Sequence, residues 1–322
     1  MTFVSIALAT CNGERYLERQ LDSLLAQTYR PIEIVVCDDF SDDSTVEILT
    51  RYASSNPGVF KIQRNDARLG YVRNFEKAMG LCSGDYIAPC DQDDVWRPDK
   101  IRMLVDHIGG CSLIHSDARM VDETGMLLSP SFTAFAKKDI EETGFLSFLR
   151  NNVVTGCTCM IKSGLLEKAI PFWRGMPHDQ WLALMAADDR GIAYIPEPLI
   201  DYRQHSGNTS GKVQARSNRG LRSKAIKDFF DERRRTYDSI VENYGVVLRF
   251  AEARLSPKAK RDFSRWLEYY KSFSGKRVRL RAFIFHATHL RLFSRNLSGA
   301  KALMDLALSL IGDPALGRNE RV

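Results

Sequence analysis

The chain has 322 residues, 44% hydrophobic and 27% charged, with a formal net charge of +6. That composition is the one of a soluble globular protein and excludes a disordered chain; the length allows one large domain or two ordinary ones. No apolar run approaches the roughly 18 residues of a membrane span, and Met1-Thr2-Phe3 leads into a strand with no basic signal-peptide region. The seven cysteines (11, 37, 82, 90, 111, 157 and 159) are scattered and odd in number, which fits reduced thiols in the cytosol. Cys157 and Cys159 have no second pair at zinc-site spacing and no nearby paired His to make a thiol nucleophile.

The net charge hides an asymmetry. Residues 212–322 carry 25 Lys and Arg against 11 Asp and Glu, a balance of +14, which leaves −8 on residues 1–211. An acidic front and a basic tail imply different partners; an anionic membrane, a phosphorylated substrate or nucleic acid would each suit the tail.

In chain order, residues 3–10 read as a buried strand of the parallel type. After the turn Cys11-Asn12-Gly13, residues 14–27 show helical spacing until Pro31 breaks it. Ile32 to Cys37 is a second buried strand, ending in Asp38-Asp39. Ser41-Asp42-Asp43-Ser44 offers N-cap chemistry for a helix through about Tyr52. Val59 to Ile62 is a short third strand. A loop with Gly70 precedes a helix over about 71–82. The strand that follows runs into Asp91-Gln92-Asp93-Asp94; then come a helix opened by Pro98 and a strand over Ser112–Ser116. This alternation predicts an α/β fold, a Rossmann-like, mostly parallel sheet with helices on both faces.

Such sheets bind ligands outside the carboxyl ends of their strands. Three polar clusters fall there: Thr10-Cys11-Asn12, Asp38-Asp39 and Asp91–Asp94. One acidic turn is ordinary, whereas three on one edge describe a site. Alternation along the strand puts Asp91 and Asp93 on one side, and a hard cation such as Mg²⁺ is commonly held by one or two carboxylates together with substrate phosphates. No Gly-x-Gly-x-x-Gly follows the first strand and there is no Walker A sequence. A nucleotide would have to be held by a metal and by carboxylates.

Several stretches carry a resemblance. Ala9-Thr10-Cys11-Asn12-Gly13 with Tyr16-Leu17 and Gln20 to Ser23, Val35 to Thr45, Asn65 to Gly70 with Arg73-Asn74, and Ser83 to Ile87 resemble, in order and spacing, the family 2 glycosyltransferases. The resemblance runs from residue 3 to about 210. It implies a GT-A fold and an inverting, metal-dependent enzyme with a nucleotide-sugar donor. Asp91-Gln92-Asp93 looks like the family's Asp-x-Asp motif, which holds Mg²⁺ or Mn²⁺ on the donor diphosphate, and Asp39 matches the Asp that reads a pyrimidine base. Cys11 stands where family members often have a Tyr. Leu113 to Asp117, Thr155 to Thr158, His178 to Ala183 and Tyr202 to Asn208 resemble the branch of rhamnosyltransferases and other polysaccharide-building enzymes.

The resemblance implies donor contacts from Thr10, Asn12, Glu14, Asp39, Asn65, Arg73, Asp91 and Arg203. It makes Asp179 the base for the acceptor hydroxyl; without it, a helix cap would be the simpler reading of that residue. Asp91 and Asp93 are the expected metal ligands. His205 is either a third ligand, as imidazole on a transition metal such as Mn²⁺, or a diphosphate contact, or else a structural or surface residue, and Arg203 either neutralises a phosphate or pairs with one of the acidic residues. Asp94 either orients the site or caps a turn, and His178 either caps a helix or acts in catalysis. Asp117 and Trp181 are candidate acceptor contacts, with Trp181 and Trp173 equally readable as core.

Two regions follow: residues 1–211 as the catalytic domain (nucleotide-sugar half about 1–117, acceptor half about 118–211) and residues 212–322 as a basic helical extension. Arg233-Arg234-Arg235 and the segment from Lys276 to Leu297 make that extension either a small packed subdomain or an amphipathic surface against an anionic inner leaflet; residues 313–322 read as frayed. The expected function is transfer of a sugar, dTDP-L-rhamnose being one candidate donor, to a surface polysaccharide or lipid-linked oligosaccharide on the cytoplasmic side. A non-catalytic nucleotide-sugar binding protein is the alternative. Nucleic acid is not an expected partner, because no aromatic-interleaved reading motif accompanies the charge.

Overall fold

In the computed structural model the described residues are 2–138, 140, 144–150, 152–207 and 242–271. The chain forms two compact units, Met1–Lys212 and Val213–Val322. Asn208, the Arg233–Arg235 run, the segment from Lys276 to Leu297 and residues 313–322 lie outside the described residues.

The first unit begins with β1 (Val4–Thr10), α1 (Leu17–Leu25), β2 (Ile32–Asp38), α2 (Thr45–Ser55), β3 (Phe60–Arg64), α3 (Tyr71–Gly80) and β4 (Tyr86–Cys90). The strands pair in parallel in the order β3-β2-β1-β4. Alternate residues of β1 point to opposite faces. Val4, Ile6 and Leu8 join Leu17, Leu21 and Leu24 of α1 in one apolar cluster. Val72, Phe75, Ala78 and Met79 of α3 are buried outside that cluster, and α3 packs on β1 and β2. Helices therefore cover both faces.

Because β2 and β4 both flank β1, the chain direction reverses between β1 and β4, and such a reversal opens a crevice at the strands' carboxyl ends. The registers Thr10↔Asp38 and Leu8↔Cys90 bring the three strand ends level. Ser44 is the N-cap residue of α2 but makes no side-chain cap bond. Asp43 accepts the Thr45 N–H and Glu14 accepts the Ser44 N–H, so the cap chemistry expected over 41–44 is supplied by Asp43 with help from Glu14.

One buried carboxylate ties these strands together at the opposite end. Glu33 of β2 accepts hydrogen bonds from the Ser5 hydroxyl of β1 and from the N–H and hydroxyl of Ser83, and pairs with Lys61 of β3 at 2.6 Å. Burial opposes its charge, but the bonds from Lys61, Ser5 and Ser83 win and hold its pKa at about 2.

The remainder is β5 (Val95–Trp96), α4 (Lys100–His107), β6 (Leu113–Val121), β7 (Leu127–Ser129), α5 (Phe132–Phe135), α6 (Phe145–Arg150), a 3-10 turn (Gly156–Thr158), β8 (Cys159–Lys162), α7 (Ser163–Ala169), α8 (His178–Ala187) and β9 (Ile192–Arg203). The sheet continues β4-β8-β6-β9-β5, with β7 on β6. β8 is antiparallel to β4 and β6, and β5 is antiparallel to β9. The parallel character is thus complete in β1–β4 and mixed beyond. Val95 pairs with Asp201, so the segment 91–94 is held between β4 and the end of β9.

In the second unit, residues 242–251 and Pro257–Lys271 are helical. Pro257 takes the first helical position and the Ser256 hydroxyl accepts the Ala259 N–H, a standard N-terminus. Leu255, Ala259, Phe263, Trp266 and Leu267 are buried at helical spacing, with Tyr244 edge-on to Trp266 at 5.1 Å. No helix among the described residues is long and apolar enough to cross a membrane.

Candidate functional site

A cleft of about 650 Å³ opens at the carboxyl ends of β1 and β4. Its lining includes Thr10, Cys11, Asn12, Asp39, Arg68 and Gly70 from the first part of the chain, Asp91, Gln92 and Asp93 after β4, and Gly156, His178, Asp179 and His205 from farther along. The Gln92 amide closes the junction between the strand ends: its Oε1 accepts the Cys11 N–H at 2.8 Å and its Nε2 donates to the Cys11 carbonyl at 3.0 Å. No sequence signal marked Gln92 for this task, since its partner lies 81 residues away.

The acidic segment divides its labour. Asp93 faces the cleft and its Oδ2 lies 2.8 Å from His205 Nε2. Asp94 is fully buried; its Oδ1 accepts the Arg203 N–H at 3.0 Å and its Oδ2 has no hydrogen-bond partner. One atom each of Asp91, Asp94 and Cys157 lies within 4.8 Å of the others. Burial, then the charges of Asp93 and Asp179, hold the Asp91 carboxyl above the ordinary carboxylate range. Burial, then Asp93 and Asp91, raise Asp94 further. Beneath them Lys100, fully buried, donates to the Cys157 carbonyl and sits 3.3 Å from the centre of the Trp96 ring, where burial lowers its pKa to about 8.

The family named above implies a divalent cation, and the residues present fit one. Asp91 and Asp93 both line the cleft, the charge of Asp93 bears on Asp91, and oxygen donors suit Mg²⁺ or Mn²⁺. Cys157 suits such an ion poorly. Burial and the neighbouring Asp94 and Asp91 keep it a thiol, and only a thiolate is a good ligand.

Asp179 lies in the first turn of α8. Its Oδ2 accepts the Gly156 N–H at 3.1 Å and its Oδ1 accepts the Gln180 N–H at 2.7 Å. Gly156 is the one residue type that fits there: a Cβ would fall 2.7 Å from His178 Nε2. His178 is 6% exposed, stacks on Phe75 at 4.0 Å between ring centres and has both ring nitrogens unpartnered. Burial lowers its pKa, so a neutral imidazole faces the cleft beside Asp179.

Of the expected donor residues, Thr10, Asn12, Asp39 and Asp91 line the cleft. Much of their hydrogen-bonding capacity is already used. The Thr10 hydroxyl donates to Asp38, Asn12 Oδ1 accepts the Asp42 N–H, and Asp39 accepts from the Asn65 amide and the Leu69 and Gly70 N–H groups. The other four stand off its walls. Asn65 holds Asp39 and Asn74. Glu14 caps α2. Arg73 lines a neighbouring hollow. Arg203, 2% exposed, donates to the main-chain carbonyls of Asp93, Asp122 and Glu123 and stacks 5.0 Å over Tyr16. It is a clamp on the acidic segment, because its guanidinium is spent on backbone.

The expected acceptor contacts also lie elsewhere. Trp181 is fully buried and its Nε1 donates to the Ala169 carbonyl at 2.9 Å, so the core reading holds for it. Asp117 is 5% exposed and accepts from the hydroxyls of Ser131 and Thr133, which orders the turn into α5. Lys138 passed unmarked in the sequence. It donates to Thr155, a cleft residue, and burial lowers its pKa to about 8.

The glycosyl transferase family 2 profile matches residues 5–168, just over half of the chain. A Mycobacterium tuberculosis protein of uncharacterised function is 28% identical over 208 residues, covering 63% of this chain and 59% of the relative; the chain thus spans about three-fifths of that relative's length. The dTDP-rhamnosyl transferase RfbG of Shigella flexneri is 28% identical over 217 residues (63% of this chain, 73% of RfbG). The Escherichia coli UDP-Glc:α-D-GlcNAc-diphosphoundecaprenol β-1,3-glucosyltransferase WfaP is 26% identical over 232 residues (70% and 88%). Among solved structures, residues 1–349 of Staphylococcus aureus TarS in complex with UDP-GlcNAc superpose with a TM-score of 0.55 at 18% identity, covering 96% of this chain and 82% of that TarS fragment. The Pyrobaculum calidifontis mannosyltransferase PcManGT with GDP-Man and Mn²⁺ gives 0.50 at 18% identity, with 96% and 84% covered. These structural likenesses speak to the fold. Together with the profile match and the cleft at the β1/β4 junction, they identify the chain as a member of glycosyl transferase family 2 with a GT-A fold.

Proposed function

We propose that this protein is a metal-dependent, inverting glycosyltransferase that moves a sugar from a nucleoside-diphosphate sugar to a saccharide acceptor of a surface polysaccharide or lipid-linked oligosaccharide. One observation carries the reading: Asp91 and Asp93, at the junction of β1 and β4, share a single cleft with Asp179 on α8. Asp91 and Asp93 hold the cation, while Asp94, buried behind them, anchors the segment to Arg203. Bound there, a divalent ion neutralises charge on the departing diphosphate. Asp39 and the Thr10–Asn12 shelf receive the nucleoside.

Asp179 accepts the proton of the acceptor hydroxyl as that oxygen bonds to the anomeric carbon; the bond from that carbon to the diphosphate breaks, and the nucleoside diphosphate leaves from the opposite face. The Gly156 N–H fixes the carboxylate's orientation. Neutral His178 packs beside it, with both ring nitrogens buried and unpartnered. RfbG, whose name states a dTDP-rhamnosyl donor, supports dTDP-L-rhamnose as the first donor to try. The balance of +14 in the sequence of residues 212–322 supports placement on the cytoplasmic side, peripheral to an anionic membrane.

A panel of nucleotide sugars with Mn²⁺ or Mg²⁺ tests the reading. Acceptor-dependent release of the nucleoside diphosphate, lost in Asp179→Asn with donor binding retained, is the expected result. Donor binding without any acceptor-dependent release would instead favour a nucleotide-sugar binding protein.

A further inference from the structure

A second hollow, of about 750 Å³, adjoins the cleft and shares Arg68, Gly70 and Tyr71 with it. Its charge is one-sided. Arg68, Arg73, Lys77 and Arg174 line it against a single carboxylate, Glu76. Glu76 is already committed, with Oε1 3.2 Å from Arg73 and Oε2 accepting the Phe172 N–H at 2.7 Å. Arg73 Nε is buried without a hydrogen-bond partner. Arg174 forms no ion pair among the described residues, and Arg68 reaches only the exposed Asp42, at 3.9 Å. Its lining includes the first turn of α3, a ten-residue helix beginning at Tyr71, whose N-cap Gly70 N–H is already taken by Asp39. The N–H groups of Tyr71, Val72 and Arg73 make no hydrogen bond among the described residues, and free N–H groups at a helix start favour an anion. Arginine forks beside such a turn match phosphate oxygens in geometry as well as charge.

We infer that this hollow binds the diphosphate of a lipid-borne acceptor, whose sugar reaches past Tyr71 to Asp179. The inference rests on the glycosyltransferase reading and extends it to the second substrate. That reading assigns the donor's diphosphate to the Asp91–Asp93 side of the cleft. A separate cationic hollow therefore calls for a second phosphate-bearing ligand, and the acceptor is the other substrate. Tyr71 stands at the junction, its ring 6.3 Å from that of His178, and its phenol feels the charge of Asp179. The relative WfaP is named for an acceptor of this chemistry, a sugar on diphosphoundecaprenol.

The test is calorimetric, on the full chain in EDTA so that the metal-dependent cleft does not compete. Geranyl diphosphate, inorganic pyrophosphate and geraniol are titrated into wild type, Arg174→Gln and Arg73→Gln/Arg174→Gln. Arg174 is exposed, so its single variant keeps the test intact if the double variant folds poorly. The expected result is binding of geranyl diphosphate and not geraniol, weakened at least tenfold in the double variant and severalfold in Arg174→Gln. Binding of nucleotide sugar with Mn²⁺ should stay within twofold. Equal affinity of the variants for geranyl diphosphate, or binding of inorganic pyrophosphate alone, would overturn the proposal. The two readings fail separately: transfer to a neutral saccharide without arginine-dependent diphosphate binding sinks this site alone, whereas a chain that binds geranyl diphosphate but no nucleotide sugar sinks the donor reading.

Discussion

The two halves of the first unit build their parts of the site by different means. In the first half β1, β2 and β4 each end in a polar cluster, so position in the chain nearly dictates position in the cleft. Beyond β4 the site depends on pairings between distant segments: β5 on β9 sets Arg203 against Asp93 and Asp94, and the 3-10 turn lends Gly156 to Asp179. Parallel strands joined by helices follow a repeating local pattern. A mixed sheet with a short strand like β5 leaves no such pattern. Residues of the second half should therefore be more sensitive to changes that leave local structure intact.

The largest effect belongs to the proposed base. Asp179→Asn should lower kcat by about 10²- to 10⁴-fold, the span of general base catalysis, with thermal unfolding nearly unchanged; steady-state kinetics beside calorimetry decide it. Near-normal turnover would return Asp179 to the role of a helix cap.

Gly156→Ala comes next. A methyl group 2.7 Å from His178 Nε2 must displace the imidazole or the turn that orients Asp179, and a misplacement of about 1 Å can cost on the order of 100-fold in rate. Donor affinity should hold, since the metal carboxylates lie on another segment. A loss of donor affinity matching the loss of rate would show that the two halves are not separable.

Arg203→Gln probes the clamp. It removes hydrogen bonds to three main-chain carbonyls and should cost roughly 2–3 kcal/mol of stability, as breaking a buried charged network does, measured by chemical denaturation. Activity should fall mainly through weaker metal and donor binding as Asp93 loosens. A rise in donor KM with no stability loss would restore the direct donor contact expected from the family resemblance.

The smallest effect lies far from the cleft. Glu33 has its pKa lowered from 4.5 to about 2 in the fold, so the folded state binds fewer protons than the unfolded one and stability rises with pH through that window. Its contribution is complete above about 4.5 and is lost as pH falls toward 2. Wild type should lose stability over that range more steeply than Glu33→Gln, which is less stable at neutral pH. Parallel pH profiles would show that the carboxylate does not bind β1, β2 and β3 together.

These contrasts explain what was legible in the sequence. The strand–helix alternation and the polar strand ends announced the β3-β2-β1-β4 block and placed Thr10, Asn12, Asp39, Asp91 and Asp93 on one edge, because spacing along a parallel α/β chain encodes which face and end a residue occupies. The roles of Arg203 and Asp117 were not legible in this way. Whether an arginine meets a phosphate or a carbonyl depends on what a distant strand presents to it. Gln92, Lys100 and Lys138 went unmarked for the same reason: their partners Cys11, Cys157 and Thr155 come from other elements. Lys100 in particular looks like an ordinary first-turn helix residue, and nothing local shows that the helix buries it under the acidic segment.

The central claim is that Asp91 and Asp93 bind the donor through a divalent ion. Titrating a nucleotide sugar into wild type and Asp91→Asn/Asp93→Asn, with Mn²⁺ and then with EDTA, tests it most directly. The account predicts binding by wild type with Mn²⁺, weakened by at least tenfold in EDTA, and weak, metal-independent binding by the variant. Equal affinity in all four conditions would contradict it.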